Sequence, residues 1–158
     1  MKRIISILLE NESGALSRVV GLFAQRGYNI DTLTVAPTDD DTLSRLTLTT
    51  QGDDHMAEQI VKQLHKLIDT IKVVDLTVGS HIERELMMVR IKATENDIRA
   101  ELKSCVDIFR GHIIDVTSQT YTVQLVGDSE KLDAFIEAVG DMGIMEVVRS
   151  GVSGISRG

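Results

Sequence analysis

The sequence is poor in several residue types, and each shortage excludes or disfavours a class of protein. A single cysteine, Cys105, excludes an intrachain disulfide framework. Aromatic residues make up 3% of the chain and tryptophan is absent, which disfavours a surface that stacks nucleic-acid bases and leaves the core to aliphatic side chains. No apolar run approaches the roughly 20 residues of a membrane-spanning helix.

The charge balance is acidic, with 17 Lys and Arg against 24 Asp and Glu and a formal net charge of −7. Nucleic-acid-binding proteins usually carry a basic patch, and this sequence has no run of Lys and Arg. The apolar run at residues 3–9 is too short and too interrupted for a signal peptide. With 42% hydrophobic and 26% charged residues the composition is typical of a globular protein, and we expect a cytoplasmic one.

The first half of the chain contains an ordered series of strand and helix patterns. Apolar, β-branched runs predict the strands, and apolar residues spaced three and four apart predict the helices. Gly27 is placed to end the first helix in the left-handed conformation, and Asp53 is placed to cap the second. The predicted strands cover residues 3–9, 29–36, 43–50 and 71–76, and the helix stripes are Leu16, Val19, Val20 and Phe23, then Met56, Ile60, Leu64 and Leu67.

The second half repeats this series, so each half has the order βαββαβ. With a short, turn-prone link at residues 78–81, the repeat predicts an α+β protein of two ferredoxin-like domains, residues 1–78 and 79–158. Strand 3–9 is apolar on both sides of its pleat, so we expect both faces of the first sheet to be covered, most simply in a dimer. The strands of the second half are predicted at Met87–Ile91, 113–116, 121–125 and 144–148, and its helix stripes are Ile98, Leu102 and Cys105, then Leu132, Phe135, Ile136 and Val139.

Residues that could carry catalysis or bind a metal are scattered. The four histidines have no partners at metal-ligand spacing, and Cys105 lies on a predicted core stripe without a histidine nearby. The Asp39-Asp40-Asp41 segment could take up a divalent cation weakly, although an Asp-rich hairpin tip is more often a solvated turn. Phosphate-binding, dinucleotide-binding, nucleophile-elbow and HExxH motifs are all missing. The sequence therefore predicts no catalytic site.

The junction between the first strand and the first helix suggests a binding site. A helix that begins near Gly14 or Ala15 leaves its first backbone N–H groups unpaired, and these suit a carboxylate. Gly14 allows a ligand close to the backbone, Asn11 offers an amide that both donates and accepts, and Leu16 offers apolar contact. The same residues also fit an ordinary helix start with Ser13 as the N-cap. Local chemistry leaves both interpretations open.

Longer stretches of the sequence resemble a known family. The run Glu10–Phe23, followed by Arg26-Gly27-Tyr28-Asn29-Ile30, resembles an ACT domain, a ferredoxin-like module that pairs and binds amino acids between partners. Through Leu33–Asp39 the chain is more closely similar to the small regulatory subunit of acetohydroxyacid synthase, also called acetolactate synthase. Matching segments continue in family order at Gln63–Leu67, Glu83–Met87, Ile108–Gly111, Ile114–Val116, Lys131–Phe135 and Arg149–Gly151.

The resemblance implies a regulatory role without catalysis by this chain. In that family a separate catalytic large subunit uses thiamine diphosphate, Mg²⁺ and FAD, and no cofactor is expected here. The small subunit activates that enzyme and confers feedback inhibition by valine or a related branched-chain amino acid. The implied N-terminal ACT domain binds the effector and forms a homodimer, while the C-terminal domain contributes to activation. The implied effector site consists of Asn11, Gly14, Ala15 and Leu16 from one protomer and Asn29 and Ile30 from the other.

Two other interpretations are distinguishable by experiment. A stand-alone ACT-type sensor of amino acids would act on another enzyme or on transcription, and it would not co-purify with a thiamine-diphosphate enzyme. An enzyme on a ferredoxin-like scaffold would turn over a substrate without a partner, and no set of residues supports it. In the second half, Ala93-Thr94-Glu95-Asn96 replaces the glycine loop, so we expect no second effector site there.

Overall fold

The computed structural model describes residues 1–158, which divide into two compact units. The first unit contains residues 1–83 together with 151–158, and the second contains residues 84–150. The predicted division at residues 78 and 79 therefore differs most at the end of the chain. The last eight residues belong to the first unit because Val152 is buried in one of its apolar clusters.

The first unit is built on a four-stranded antiparallel sheet in the order β2-β3-β1-β4. Alternate residues of β1 point toward the two helices, and their burial forms one apolar core. Each such side chain contributes about 1.5–3 kcal/mol when fully buried. The elements are β1 (Lys2–Glu10), α1 (Ala15–Gln25), β2 (Thr32–Pro37), β3 (Leu43–Gln51), α2 (Asp54–His65) and β4 (Thr70–Asp75). The buried core residues are Ile5, Ile7, Leu9, Val19, Phe23, Leu46, Leu48, Ile60 and Leu64.

The second unit repeats this topology with an antiparallel sheet in the order β6-β7-β5-β8. Along β5, Met87, Val89 and Ile91 are buried while their neighbours are exposed, as the predicted alternation requires. The rings of Phe109 and Phe135 pack edge to face with centroids 5.4 Å apart. The elements are β5 (His81–Lys92), α3 (Asn96–Ile108), β6 (His112–Val116), β7 (Thr120–Gly127), α4 (Ser129–Val139), a 3-10 turn (Gly140–Met142) and β8 (Ile144–Arg149).

The returning end of the chain covers part of the other face of the first sheet. Val152 packs with Ile4 and Leu76, and it is followed by strand β9 (Ser153–Ser156). A Cβ atom on Gly154 would lie 2.7 Å from Cδ1 of Leu76, so the backbone passes too close for a side chain. The second face of β1, for which the sequence suggested a dimer contact, is thus partly buried by residues of the same chain.

The fold class and most element assignments from sequence are confirmed. Gly27 has the left-handed conformation after α1, and the Asp53 side chain caps α2. The stripe predicted on α3 is shifted, because Val106 is buried while Cys105 is only partly buried at the edge of the core. Strand β2 begins at Thr32 rather than at residue 29, because the ladder to β3 begins with the pair Thr32 and Thr49. None of the helices has the length and apolar character needed to cross a membrane.

Candidate functional site

Helix α1 begins without a side-chain cap. Gly14 occupies the N-cap position at φ 87°, in the left-handed region, so the alternative prediction of Ser13 as the N-cap is wrong. The Ala15 N–H donates to the carbonyl of Glu12, and the Arg18 N–H donates to the carbonyl of Gly14. Between them, the N–H groups of Leu16 and Ser17 have no acceptor within the chain. These two donors lie at the positive end of the helix dipole, where an anion is stabilised.

Asn11 is fixed against the hairpin between β2 and β3. Its backbone N–H donates to the carbonyl of Thr42, and its side-chain amide donates to the carbonyl of Asp41 at 2.9 Å. The side chain is otherwise exposed. Because the NH2 group is engaged, the Oδ1 atom of Asn11 remains as an acceptor for a ligand's ammonium group.

The sequence suggested that a ligand could approach the backbone at Gly14, but in the structure the side chain of Arg18 lies beside this glycine. A Cβ atom at this position would lie 3.0 Å from a terminal nitrogen of Arg18, so the space beside the glycine is filled by a guanidinium group. Arg18 in turn forms an ion pair with Asp69, through Nε at 2.5 Å and a second nitrogen at 3.2 Å. Glycine is favoured here mainly by its backbone conformation, and a side chain would in addition press on the Arg18 guanidinium.

Asp69 is buried at 5% exposure, and its ion pair with Arg18 favours the ionised carboxylate. The hydrogen bond from the Arg18 guanidinium holds the pKa of the Asp69 carboxyl below its ordinary value, against the opposing effect of desolvation. The same contact raises the pKa of Arg18. Sequence reasoning missed this pair, since 51 residues separate its members.

The other two residues carried over from the N-terminal site motif differ in exposure. Ala15 is buried at the start of α1. Leu16 is 41% exposed and, with Val20 one turn later, forms an apolar strip on the outside of α1. Leu16 is thus available for apolar contact at the end of the helix that carries the unpaired N–H groups.

Asn29 and Ile30 lie far from this loop within one chain. The Asp31 N–H donates to the carbonyl of Thr49, which is paired with Ile4 near the start of β1. The Asn11 loop follows Glu10 at the other end of the same strand. Six residues of β1 at about 3.3 Å each separate the two ends by roughly 20 Å. One chain therefore brings Asn11, Gly14 and Leu16 together but leaves Asn29 and Ile30 at the opposite end of the sheet.

Asn29 itself is an exposed turn residue whose side-chain amide donates to the carboxylate of Asp31 at 2.8 Å. Its backbone carbonyl accepts a hydrogen bond from the Thr50 hydroxyl. Ile30 is half-buried against the first core. These contacts hold the turn in place, and no hydrogen bond within the chain engages the side-chain oxygen of Asn29.

Other residues considered from sequence form no site. The described chain has no group of three or more His, Cys, Asp or Glu side chains placed to hold a metal ion. In the hairpin tip, the Asp40 carboxylate accepts hydrogen bonds from the backbone and hydroxyl of Thr42, which lower its pKa. A cleft of about 450 Å³ beside α2 has Arg3 in its wall, and Asp54 and Asp75 already pair with that arginine.

The corresponding junction of the second unit is built differently. Helix α3 begins after Glu95 in the extended conformation, and none of residues 93–96 has a positive φ. Arg99 has the same position in α3 as Arg18 in α1, the fourth residue of the helix. Its guanidinium donates to the carbonyls of Ala93 and Thr117 and lies 4.9 Å from the ring centre of Tyr121. Both junctions are thus braced by an arginine, but with different partners.

Comparison with known proteins identifies both units. The fold and the loop before α1 define a protein of two ferredoxin-like units with an N-terminal ACT domain. A family model described as the AHAS small subunit-like ACT domain matches residues 5–72, and one described as the small subunit of acetolactate synthase matches residues 84–158. The chain belongs to the family of acetolactate synthase small subunits.

Relatives that match along the whole chain agree with this assignment. The chain is 62% identical to the acetolactate synthase isozyme 3 small subunit of Salmonella typhimurium, over all of this chain and 97% of that protein. It is 57% identical to the acetolactate synthase small subunit of Haemophilus influenzae, with the same coverage. The crystal structure of the acetolactate synthase small subunit from Thermotoga maritima superposes with a TM-score of 0.88 at 34% identity, covering 99% of this chain and 98% of that one.

Proposed function

We propose that this chain is a non-catalytic regulatory subunit that activates the catalytic subunit of acetolactate synthase and makes it sensitive to feedback inhibition by valine. The observation that carries the proposal is the pair of unpaired N–H groups on Leu16 and Ser17, on the same loop as the free Oδ1 of Asn11. A free amino acid carries a carboxylate and an ammonium group, and this loop offers donors for the first and an acceptor for the second. Membership of the small-subunit family supports the same role.

The effector site is completed by a second copy of the chain. Asn29 and Ile30 are the other residues that the family pattern assigns to the effector, and one chain holds them about 20 Å from the Asn11 loop. In a homodimer, Asn29 of one protomer can lie beside the Asn11 loop of the other, so the distance within one chain does not prevent a joint site. Two equivalent sites follow from the two-fold symmetry of such a dimer.

Inhibition then follows from population shift. Valine stabilises the dimer arrangement in which its site is closed, and that arrangement activates the catalytic subunit less. Coupling of this kind is typically about 1–3 kcal/mol. Leu16 contributes apolar contact to the isopropyl group. Since one methylene in an apolar pocket changes affinity by only about 1–3 kcal/mol, leucine and isoleucine bind more weakly but detectably.

Thiamine diphosphate, Mg²⁺ and FAD are assigned to the catalytic subunit. The regulatory chain is expected to form no acetolactate without that subunit. Reconstitution tests this directly: the catalytic subunit is assayed with and without this chain, and then titrated with valine. We expect higher activity with the chain present and a valine-dependent loss of that increase. Unchanged activity in the presence of the chain would contradict the proposal.

A mixing experiment tests the two-protomer site. Asn11→Ala and Asn29→Ala chains are each expected to lose valine binding in calorimetry, because both sites of either homodimer lack one half. In a mixed dimer, the Asn29→Ala chain supplies a wild-type loop and the Asn11→Ala chain supplies a wild-type Asn29. One intact site results, so mixing the two variants should restore binding.

A matched mixture controls for nonspecific effects of exchange. Asn11→Ala mixed with Leu16→Asp places both changes in the same loop, so no mixed dimer has an intact site. This mixture should show no valine binding in calorimetry. If neither mixture binds valine although the chains exchange, the two halves of the site do not come from different protomers.

A further inference from the structure

We propose that the ion pair between Arg18 and Asp69 positions the Asn11–Gly14 loop for effector binding, with Arg18 acting as a positioning residue that does not itself contact the effector. This inference rests on the proposed function of the loop. It concerns a pair that lies outside the residues that the family pattern assigns to the site.

Arg18 attaches to the loop at two points. One terminal nitrogen lies against Gly14, at the place where a Cβ atom would be 3.0 Å away. The other donates weakly to the carbonyl of Ser13 at 3.4 Å and also to Asp69. Because the guanidinium is planar and held by a two-point contact to a carboxylate, its orientation is fixed rather than free. The Ser13 carbonyl and the side of Gly14 that faces Arg18 therefore lie against a guanidinium group of fixed orientation.

Asp69 provides the fixed end of this support. Its side chain is 7% exposed, whereas that of Arg18 is 46% exposed, so the carboxylate belongs to the interior and the arginine reaches it from the surface. The Asp69 carbonyl also accepts the backbone N–H of Glu10, the last residue of β1. One residue before β4 thus contacts the end of β1 through its backbone and the start of α1 through its side chain.

The second unit offers an internal comparison. Arg99 also braces a strand-to-helix junction from the fourth position of its helix, but it donates to backbone carbonyls and packs on Tyr121. No buried carboxylate holds it, and no left-handed glycine lies beside it. Both junctions therefore have an arginine at the fourth residue of the helix. The buried Asp69 and the adjacent Gly14 occur only at the junction with the proposed effector site.

The consequence is pre-organisation of the donors and acceptor. The loop between β1 and α1 is short and exposed, and without its support it samples other conformations. Binding would then require ordering the loop first, which lowers affinity without changing any direct contact. A positioning role predicts equal losses for valine and leucine, since the apolar side chain of the effector does not contact Arg18.

The test uses the full chain and the double variant Arg18→Met/Asp69→Asn, which avoids an unpaired buried carboxylate. Calorimetry with valine and with leucine should show affinity lowered about tenfold for both, with their ratio unchanged. Arg18→Lys keeps the charge but loses the planar two-point contact, and it should give an intermediate loss. Arg99→Met is the matched control. We expect it to lower thermal stability but to leave valine affinity close to that of the wild type.

The outcomes separate this inference from the proposed function. If wild type binds no branched-chain amino acid, the proposed function is wrong. If wild type binds valine and the double variant binds it equally tightly, the loop is positioned without Arg18 and this inference alone is overturned. A loss of affinity in Arg99→Met as large as in the double variant would also overturn it, because general destabilisation would then explain both.

Discussion

The carboxylate of Asp53 accepts a 2.8 Å hydrogen bond from the backbone N–H of Met56, which caps helix α2. Replacing Asp53 with alanine leaves that N–H without a partner, and we expect a loss of about 1 kcal/mol of stability. Ser13→Ala is the matched control. Ser13 lies one residue before the N-cap Gly14 and caps nothing, so this change should be near neutral. Urea unfolding of both variants measures the difference, and equal losses would contradict it.

Replacing each of two glycines at or in α1 with alanine should change the stability of the chain in opposite directions. Gly14→Ala places a side chain at φ 87° and against Arg18, and should destabilise by about 1 kcal/mol or more while weakening valine binding. Gly21 lies inside α1 with open space where its Cβ would be. Gly21→Ala should therefore stabilise the helix by up to about 1 kcal/mol. Thermal unfolding of the two variants should shift in opposite directions, and a Gly14→Ala variant as stable as wild type would show that the strain at Gly14 is not significant.

The end of the chain is predicted to be a structural part of the first unit. Val152 is 2% exposed, so Val152→Ala should cost about 2 kcal/mol of stability. Ile155, three residues later, is 66% exposed, and Ile155→Ala should have little effect. Urea unfolding gives the energies, and limited proteolysis should release the C-terminal residues faster from the first variant only. If proteolysis is equally fast in wild type, Val152 does not hold the segment in place.

The Arg18–Asp69 pair predicts a specific dependence of stability on pH. The pKa of Asp69 is lower in the folded chain than in the unfolded chain, because Arg18 stabilises the ionised carboxylate. Its contribution is complete above the unfolded pKa and is lost as the pH falls toward the folded pKa. Between about pH 5 and pH 2, wild type should lose more stability than Asp69→Asn. The other carboxylates are common to both chains, so parallel curves of unfolding free energy against pH would contradict this assignment.

Local patterns predicted the repeated βαββαβ order because each strand and helix carries its own periodicity. The cap on α2 and the left-handed Gly27 were equally local signals, and both are confirmed. The N-cap at Ser13 was wrong because two conformations can start a helix after the same residues. The chain uses the left-handed Gly14 with Arg18 beside it, and Arg18 is paired with Asp69, which is distant in sequence.

Residues 151–158 show a second limit of local patterns. Their glycines and serines have no strand or helix periodicity, so nothing in them indicates which sheet they cover. Their place is determined by Val152 meeting Ile4 and Leu76, a long-range contact. The loop before α1 was singled out by its helix-start chemistry, and the family resemblance then favoured a binding role for it. Its arginine support was missed, although an arginine at the fourth helix position in both halves was a readable signal.

The return of the chain to the first unit affects the order of folding during synthesis. Ile4 leaves the ribosome well before its partner Val152, which follows only after the whole second unit has been made. One face of the first sheet therefore stays partly exposed to solvent while residues 84–150 emerge and fold. Closing so long a loop is slow compared with local pairing. During that interval the apolar side chains of Ile4 and Leu76 lack the contact that Val152 later provides, and the nascent chain is more open to aggregation.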